Sequence, residues 1–162
     1  MTLKFNEDSR VKIPALLHLT KLGYAFLPKK EMTNIHPETN IFITEFKQAI
    51  SKINNKQYTD KEIKSILTEI NTQLENNDLG HAFYKSITGD FDQCKLIDFE
   101  NFNNNTLQVV TELPYKNDEE EFRPDITILI NGMPLAFIEV KKPNNPEGIL
   151  AERKRINIRC AN

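Results

Sequence analysis

Three polar residues interrupt an apolar stretch of this 162-residue chain. Asp125 stands before the run Ile126–Ile130, and Glu139 and Lys141 close the run Leu135–Val140. Side chains two apart on a strand point the same way, about 6.6 Å apart, so Glu139 and Lys141 share a face. If Asp125 lies opposite Glu139, their Cβ atoms sit roughly 5 Å apart. Two carboxylates that close repel unless a cation sits between them or one takes up a proton. Mg²⁺ suits such a pair, because it binds one or two carboxylates and completes its shell with water and substrate phosphate. A metal held this way polarises a phosphodiester and lowers the pKa of a bound water. Lys141 can hold that water or offset charge on the phosphate. The chemistry these residues fit is phosphodiester hydrolysis. The plainer reading is a strand end with a solvated salt bridge. Pro124 before the acid, buried-type strands on both sides and a turn of suitable length favour the site.

The elements that must position these groups are the strands of a hairpin. Asn131-Gly132 between β-branched and aromatic runs is a strong short-range hairpin signal. Register then decides whether the acids meet. A two-residue turn pairs Ile130 with Met133 and puts Asp125 opposite Ile138, away from Glu139. A three-residue loop, Asn131-Gly132-Met133, pairs Ile130 with Pro134 and Asp125 with Glu139. The site demands that loop or an equivalent bulge. Ile126, Ile128 and Ile130 line one face of the hairpin with Ala136, Ile138 and Val140. Leu129 and Phe137 occupy the other. A sheet apolar on both sides needs layers on both sides. The expected fold is α/β: a small mixed sheet with this hairpin at its centre, flanked by helices.

The rest of the chain supplies those helices. Asn6 to Leu22 reads as a helix stopped by Gly23, with Ile13, Leu16, Leu17 and Thr20 on one face and Pro14 starting a second segment or kinking the first. Tyr24 to Pro37 reads as extended and loop-like. Phe42, Phe46, Ala49, Ile50 and Ile53 recur at helical spacing. Thr59-x-x-Glu62 is a capping box ahead of the stripe Ile63, Ile66, Leu67, Ile70 and Leu74. This helical segment, about 40–77, buries both stripes if its two helices pack antiparallel. Leu79 to Ser86 adds a short helix. Leu96 to Phe99 reads as a short strand, Asn101 to Asn105 as a polar turn and Thr106 to Leu113 as another strand. Asp98 and Glu112 are possible extra acids, read as edge or structural residues. Glu147 to Ile158 reads as a helix with Ile149, Leu150 and Ile156 inward and basic residues outward.

Composition bounds the function. A chain of this length suits one domain. The formal net charge is −2, which gives no overall basic signal for nucleic acid. The charge is uneven: 118–121 is an acidic run, read as a solvated face, and cations outnumber acids after Val140. Cys94 and Cys160 form no metal-type pair and read as reduced thiols. His18, His36 and His81 have no ligand spacing. No apolar run approaches the ~20 residues of a membrane span, and the polar start MTLKFNEDSR is no signal peptide. The chain reads as cytoplasmic, with no membrane partner.

Pro124-Asp125 with Glu139-Val140-Lys141 resembles the PD-(D/E)xK nuclease superfamily. The longer stretch RPDITILINGMPLAFIEVKKP resembles the RPD…NGxPLxxxExK block of the restriction (R) subunit of type I restriction–modification enzymes. NEDSR near the start, LIDFENFNNN at 96–105 and GILAERKRINIR at 148–159 agree in order. The resemblance implies a restriction-endonuclease-like domain, residues 1–162, truncated at its C-terminal side and a fragment of a larger motor protein. It implies cleavage of duplex DNA with Mg²⁺ held by Asp125, Glu139 and the Val140 backbone carbonyl, with Lys141 catalytic. It also implies an auxiliary acid on the first helix, for which Glu7 is the candidate; the other reading of Glu7 is a carboxylate favoured by the helix dipole. ATP would serve the parent protein only, since the chain has no Gly-x-x-x-x-Gly-Lys-Ser/Thr loop. The methyltransferase and specificity subunits would be partners.

Lys142, Lys154 and Arg155 are the candidate phosphate contacts, because phosphate binding is mostly the work of Lys and Arg. An exposed basic helix face is the other reading. Two rival functions stay open: another PD-(D/E)xK enzyme of repair or recombination, and an assembly domain on the same scaffold with no cleavage of its own.

Overall fold

The computed structural model describes residues 11–89, 91, 94–117, 120–141, 150–151 and 153–154, with only the backbone at 116–117 and 120–121. Among the described residues, helices α1 (Ile13–Lys21), α2 (Ile43–Ile53), α3 (Asp60–Leu74) and α4 (His81–Thr88) accompany six strands. The strands are β1 (Ala25–Phe26), β2 (Leu107–Thr111), β3 (Tyr115–Asn117), β4 (Glu120–Phe122), β5 (Ile126–Ile130) and β6 (Met133–Ile138). The main sheet runs β1-β2-β5-β6, with β1 parallel to β2 and the other pairs antiparallel. This is the mixed α/β architecture expected, but among the described strands β6 lies at the edge, so the hairpin is not at the centre of the sheet. β3 and β4 form a separate two-stranded ribbon that the sequence did not announce.

Helix α3 begins where side chains satisfy its first backbone N–H groups. Thr59 Oγ1 accepts the Glu62 N–H, and Glu62 Oε2 accepts the Thr59 N–H at 2.7 Å, so the capping box is complete. Pro14 lies in the first turn of α1, where its missing N–H costs nothing, and Gly23 ends that helix with φ +99. The face of α1 proposed from sequence is not buried: Ile13 and Leu17 are exposed. Leu74 at the end of the α3 stripe and Leu150, expected inward, are exposed too.

Two cores hold the domain. The larger joins Phe46 and Ile50 of α2, Ile63, Leu67 and Ile70 of α3, the buried pair Leu96-Ile97, and Met133 at the hairpin turn. The smaller joins Leu27, Phe42, Val110, Leu113 and Leu129. Successive residues of the central strands, Val109 with Val110 and Ile126 with Thr127, are all fully buried, so both sheet faces are covered there. Residues 96–99 are not a strand. The Asp98 carboxylate accepts the N–H groups of Glu100 and Asn101, which turns the chain. Among the described residues, no helix is long and apolar enough to cross a membrane.

Candidate active site

The hairpin that carries the three polar residues is fixed at its tip. Asn131 and Gly132 have φ of 54° and 75°, the pair of positive values that a two-residue type I′ turn requires. Asn131 is buried: its Nδ2 donates to Leu96 O and Asn105 Oδ1, each at 2.8 Å, and its Oδ1 accepts the Thr106 N–H. Asn105 in turn bonds both ways to the Asp98 backbone. The asparagine-rich stretch after Leu96 is therefore a brace for the turn. Gly132 O accepts the Phe42 N–H at 3.0 Å, which seats the turn on the start of α2.

A three-residue loop is not what forms. Ile130 pairs with Met133 and Leu129 with Pro134, as in a two-residue turn. The register then shifts: Ile128 pairs with Ala136, and Ile126 with Ile138, leaving Leu135 as the extra residue of a bulge. Proline cannot donate to the ladder and is confined to edges and bulges, so the irregularity falls beside Pro134. Carried one residue past its last pair, the shifted register sets Asp125 opposite Glu139. The bulge accomplishes what the longer loop was expected to do.

Just before β5, Asp125 Oδ2 accepts the Val140 N–H at 2.9 Å, tying this carboxylate to the peptide that follows Glu139. Glu139 Oε2 and Lys141 Nζ are 3.7 Å apart. The Glu139 side chain is 11% exposed, while those of Asp125 and Lys141 are 26% and 27% exposed, so the cluster is shielded but reachable. Asp125 thus meets the Val140 N–H, and Glu139 meets Lys141. Glu7, Lys142 and Arg155 lie outside the described residues. Lys154 is exposed on a short helical segment.

Two residues that sequence reasoning did not place here join the cluster. Lys12, just before α1, has a side chain only 8% exposed. Its Nζ is 2.8 Å from Glu112 Oε1 and 3.7 Å from Asp125 Oδ1. Glu112 follows β2 with φ +55, and its N–H points at Asp125 O, 3.4 Å away. The Lys12 hydrogen bond and charge, with Lys29 adding to them, hold the Glu112 carboxyl below the usual range, against burial and Asp125. No local pattern signals this contact, since Lys12 and Glu112 are 100 positions apart. Asp98, by contrast, is structural as read.

Asp125, Glu139 and the Val140 carbonyl would make an all-oxygen donor set, of the kind that suits a hard cation such as Mg²⁺. The set is open. Among the described residues no three His, Cys, Asp or Glu side chains come together to hold a metal ion. Mg²⁺ takes the remainder of its shell from water and substrate phosphate.

The family described as the type I restriction enzyme R protein N terminus matches residues 4–157. The chain belongs to that family. It is 31% identical over 165 residues to a putative type I restriction enzyme MjaIXP endonuclease subunit of Methanocaldococcus jannaschii, covering 88% of this chain and 16% of that protein. It is 27% identical over 119 residues to the type I restriction enzyme HindI endonuclease subunit of Haemophilus influenzae, covering 64% of this chain and 11% of that one. The R-protein N-terminal domain described here therefore spans a small part of the length of these relatives.

Proposed function

We propose that this R-protein N-terminal domain is the DNA-cutting part of a type I restriction enzyme, a Mg²⁺-dependent hydrolase of phosphodiester bonds in duplex DNA. The observation that carries the reading is the 2.9 Å hydrogen bond from Val140 N–H to Asp125 Oδ2 across the bulge-shifted hairpin. It draws the two acids and Lys141 to one end of the strands. Asp125, Glu139 and the Val140 carbonyl are the groups that would hold the ion. A bound Mg²⁺ supplies Lewis acidity and a water of lowered pKa. Lys141, a compact ammonium held near Glu139, would donate hydrogen bonds to the attacking water or to a phosphate oxygen, where negative charge would grow. The shielded position of Glu139 keeps bulk water from competing for these charges. In the parent, ATP hydrolysis drives DNA movement through other parts of the subunit, and the methyltransferase and specificity subunits are partners.

The test uses the full-length R subunit in its complex. Asp125→Ala, Glu139→Ala and Lys141→Ala should each lose cutting while ATP hydrolysis and DNA movement persist. Loss of one such stabilising donor costs about 10²–10³ in rate. Lys141→Arg should fail as well, because the broad guanidinium does not replace an ammonium at a tight site. Normal cutting by the Glu139→Ala subunit would make the acid structural and the domain an assembly module. The 162-residue chain alone should be folded and nearly inactive on plasmid DNA. Two carboxylates without phosphate make a weak Mg²⁺ site. A net charge of −2 gives no pull on DNA, and affinity should fall in the non-specific range of about 10⁻⁴–10⁻⁶ M.

A further inference from the structure

The lysine buried against the acids needs its own account. Burying an ammonium is costly unless it is paired, and Lys12 reaches two carboxylates from two different strands' ends. The two contacts differ in kind. At 2.8 Å the Glu112 contact is a hydrogen bond, whereas at 3.7 Å the Asp125 contact is a charge contact only. Glu112 is held in the left-handed region, where a residue with a Cβ is disfavoured. Strain of that kind gathers at functional sites. Asp125 also acts on Glu112 by charge, so without a cation the two carboxylates would repel at one end of the sheet.

We propose that Lys12 is a placeholder cation: its ammonium neutralises Asp125 when no divalent ion is present and gives Asp125 up when one binds. This rests on the metal-site reading of Asp125 and Glu139. Glu112 is the anchor that retains the ammonium after release, through the shorter bond. The four-carbon lysine stem allows the small swing this needs. Lys12 is thus a positioning residue. It keeps Asp125 oriented in the metal-free domain, and by competing for Asp125 it weakens metal binding until substrate phosphate adds its oxygens.

The experiment titrates Mn²⁺ into the 162-residue chain and its Lys12→Met variant by calorimetry, with melting temperatures measured with and without the ion. Removing a unit charge beside a divalent ion should tighten Mn²⁺ binding about tenfold, taking the contact at water-like screening. The variant should melt below wild type without metal and regain most of the difference at saturating Mn²⁺. A purely structural lysine would lower both melting temperatures alike and leave binding unchanged or weaker, which would overturn the proposal. Should the variant fold poorly, side-chain NMR of the wild-type Lys12 ammonium decides. Its resonance should move with added Mg²⁺ together with the Glu139 and Val140 amides. Movement of the amides without Lys12 would sink the placeholder and leave the metal site standing. No response of either group at any Mg²⁺ concentration would sink the metal site, and the placeholder with it.

Discussion

Replacing Gly132 with alanine should be among the most damaging single-methyl changes in the domain. A Cβ there would lie 2.7 Å from Phe46 N, 2.8 Å from Phe42 O and 3.1 Å from Glu45 Cβ. The first two are backbone atoms in the first turn of α2, so no rotamer change relieves the clash. The left-handed conformation, φ +75, adds about 1–2 kcal/mol for a residue with a Cβ. Forcing a methyl into a filled site adds about 1–3 kcal/mol. Moving the turn away stretches the Phe42 N–H bond to Gly132 O, worth roughly 0.5–1.5 kcal/mol net. The sum is about 3–6 kcal/mol, a large part of the ~5–15 kcal/mol that holds a domain folded. Gly23 provides the control. Its φ is +99 but nothing lies within 4 Å of its Cβ position, so Gly23→Ala carries the conformational cost alone. Urea unfolding followed by circular dichroism should place Gly132→Ala at least about 1.5 kcal/mol below Gly23→Ala. Equal losses in the two variants would refute the close packing of the turn on α2.

Other consequences follow from the same geometry. Asn131→Gly keeps the positive φ but removes the bonds to Leu96 O, Asn105 Oδ1 and Thr106 N; with about 1–3 kcal/mol for each buried group left unpaired, urea melts should show a loss on the order of 3 kcal/mol. Glu62 is pulled down to about 2 by its Lys56 hydrogen bond first and the Thr59 cap bonds next, so its contribution is full above the unfolded pKa near ~4.3 and is lost as pH falls toward 2. Stability measured against pH should therefore show an acid limb that shrinks in Glu62→Gln. Deleting Leu135 removes the bulge yet leaves Ile126 paired with Ile138, so the R subunit should still cut while the domain loses about 1–3 kcal/mol of apolar burial. Abolished cutting in a folded deletion variant would mean that the bulge itself, beyond its register, shapes the site.

What the sequence disclosed was local. The Asn-Gly turn, the capping box at Thr59 and the stripes of α2 and α3 each depend on residues within a few positions, and all of them form. The groups proposed for chemistry lie within one hairpin, so their meeting could be posed as a question of register. Its answer was visible only as a requirement. Nothing in the spacing chose between a three-residue loop and a bulge, although Pro134 marks where a ladder must break. The failures have two causes, a local turn and long-range contacts. Leu96 to Phe99 has strand composition, but Asp98 finds its donors in the next three residues and bends the chain. β1 has only two residues, and its pairing partner lies over eighty positions away. Lys12 looks like any exposed helix-start lysine until β2 and β5 bring Glu112 and Asp125 to it.

This division has a physical consequence for where substitutions act. The hairpin carries the acids and Lys141, but their orientation is set from outside it. Asn131 braces the turn from the 96–106 loop, Phe42 holds it from α2, and Lys12 reaches Asp125 from the start of α1. A site built this way tolerates change in the length of β6 better than loss of a distant partner, because a bulge can absorb a residue whereas loss of the buried ammonium leaves Glu112 and Asp125 without its charge. Changes at Lys12 or Glu112 should therefore alter metal response without touching a reacting atom, and changes at the turn should alter stability with little effect on metal response.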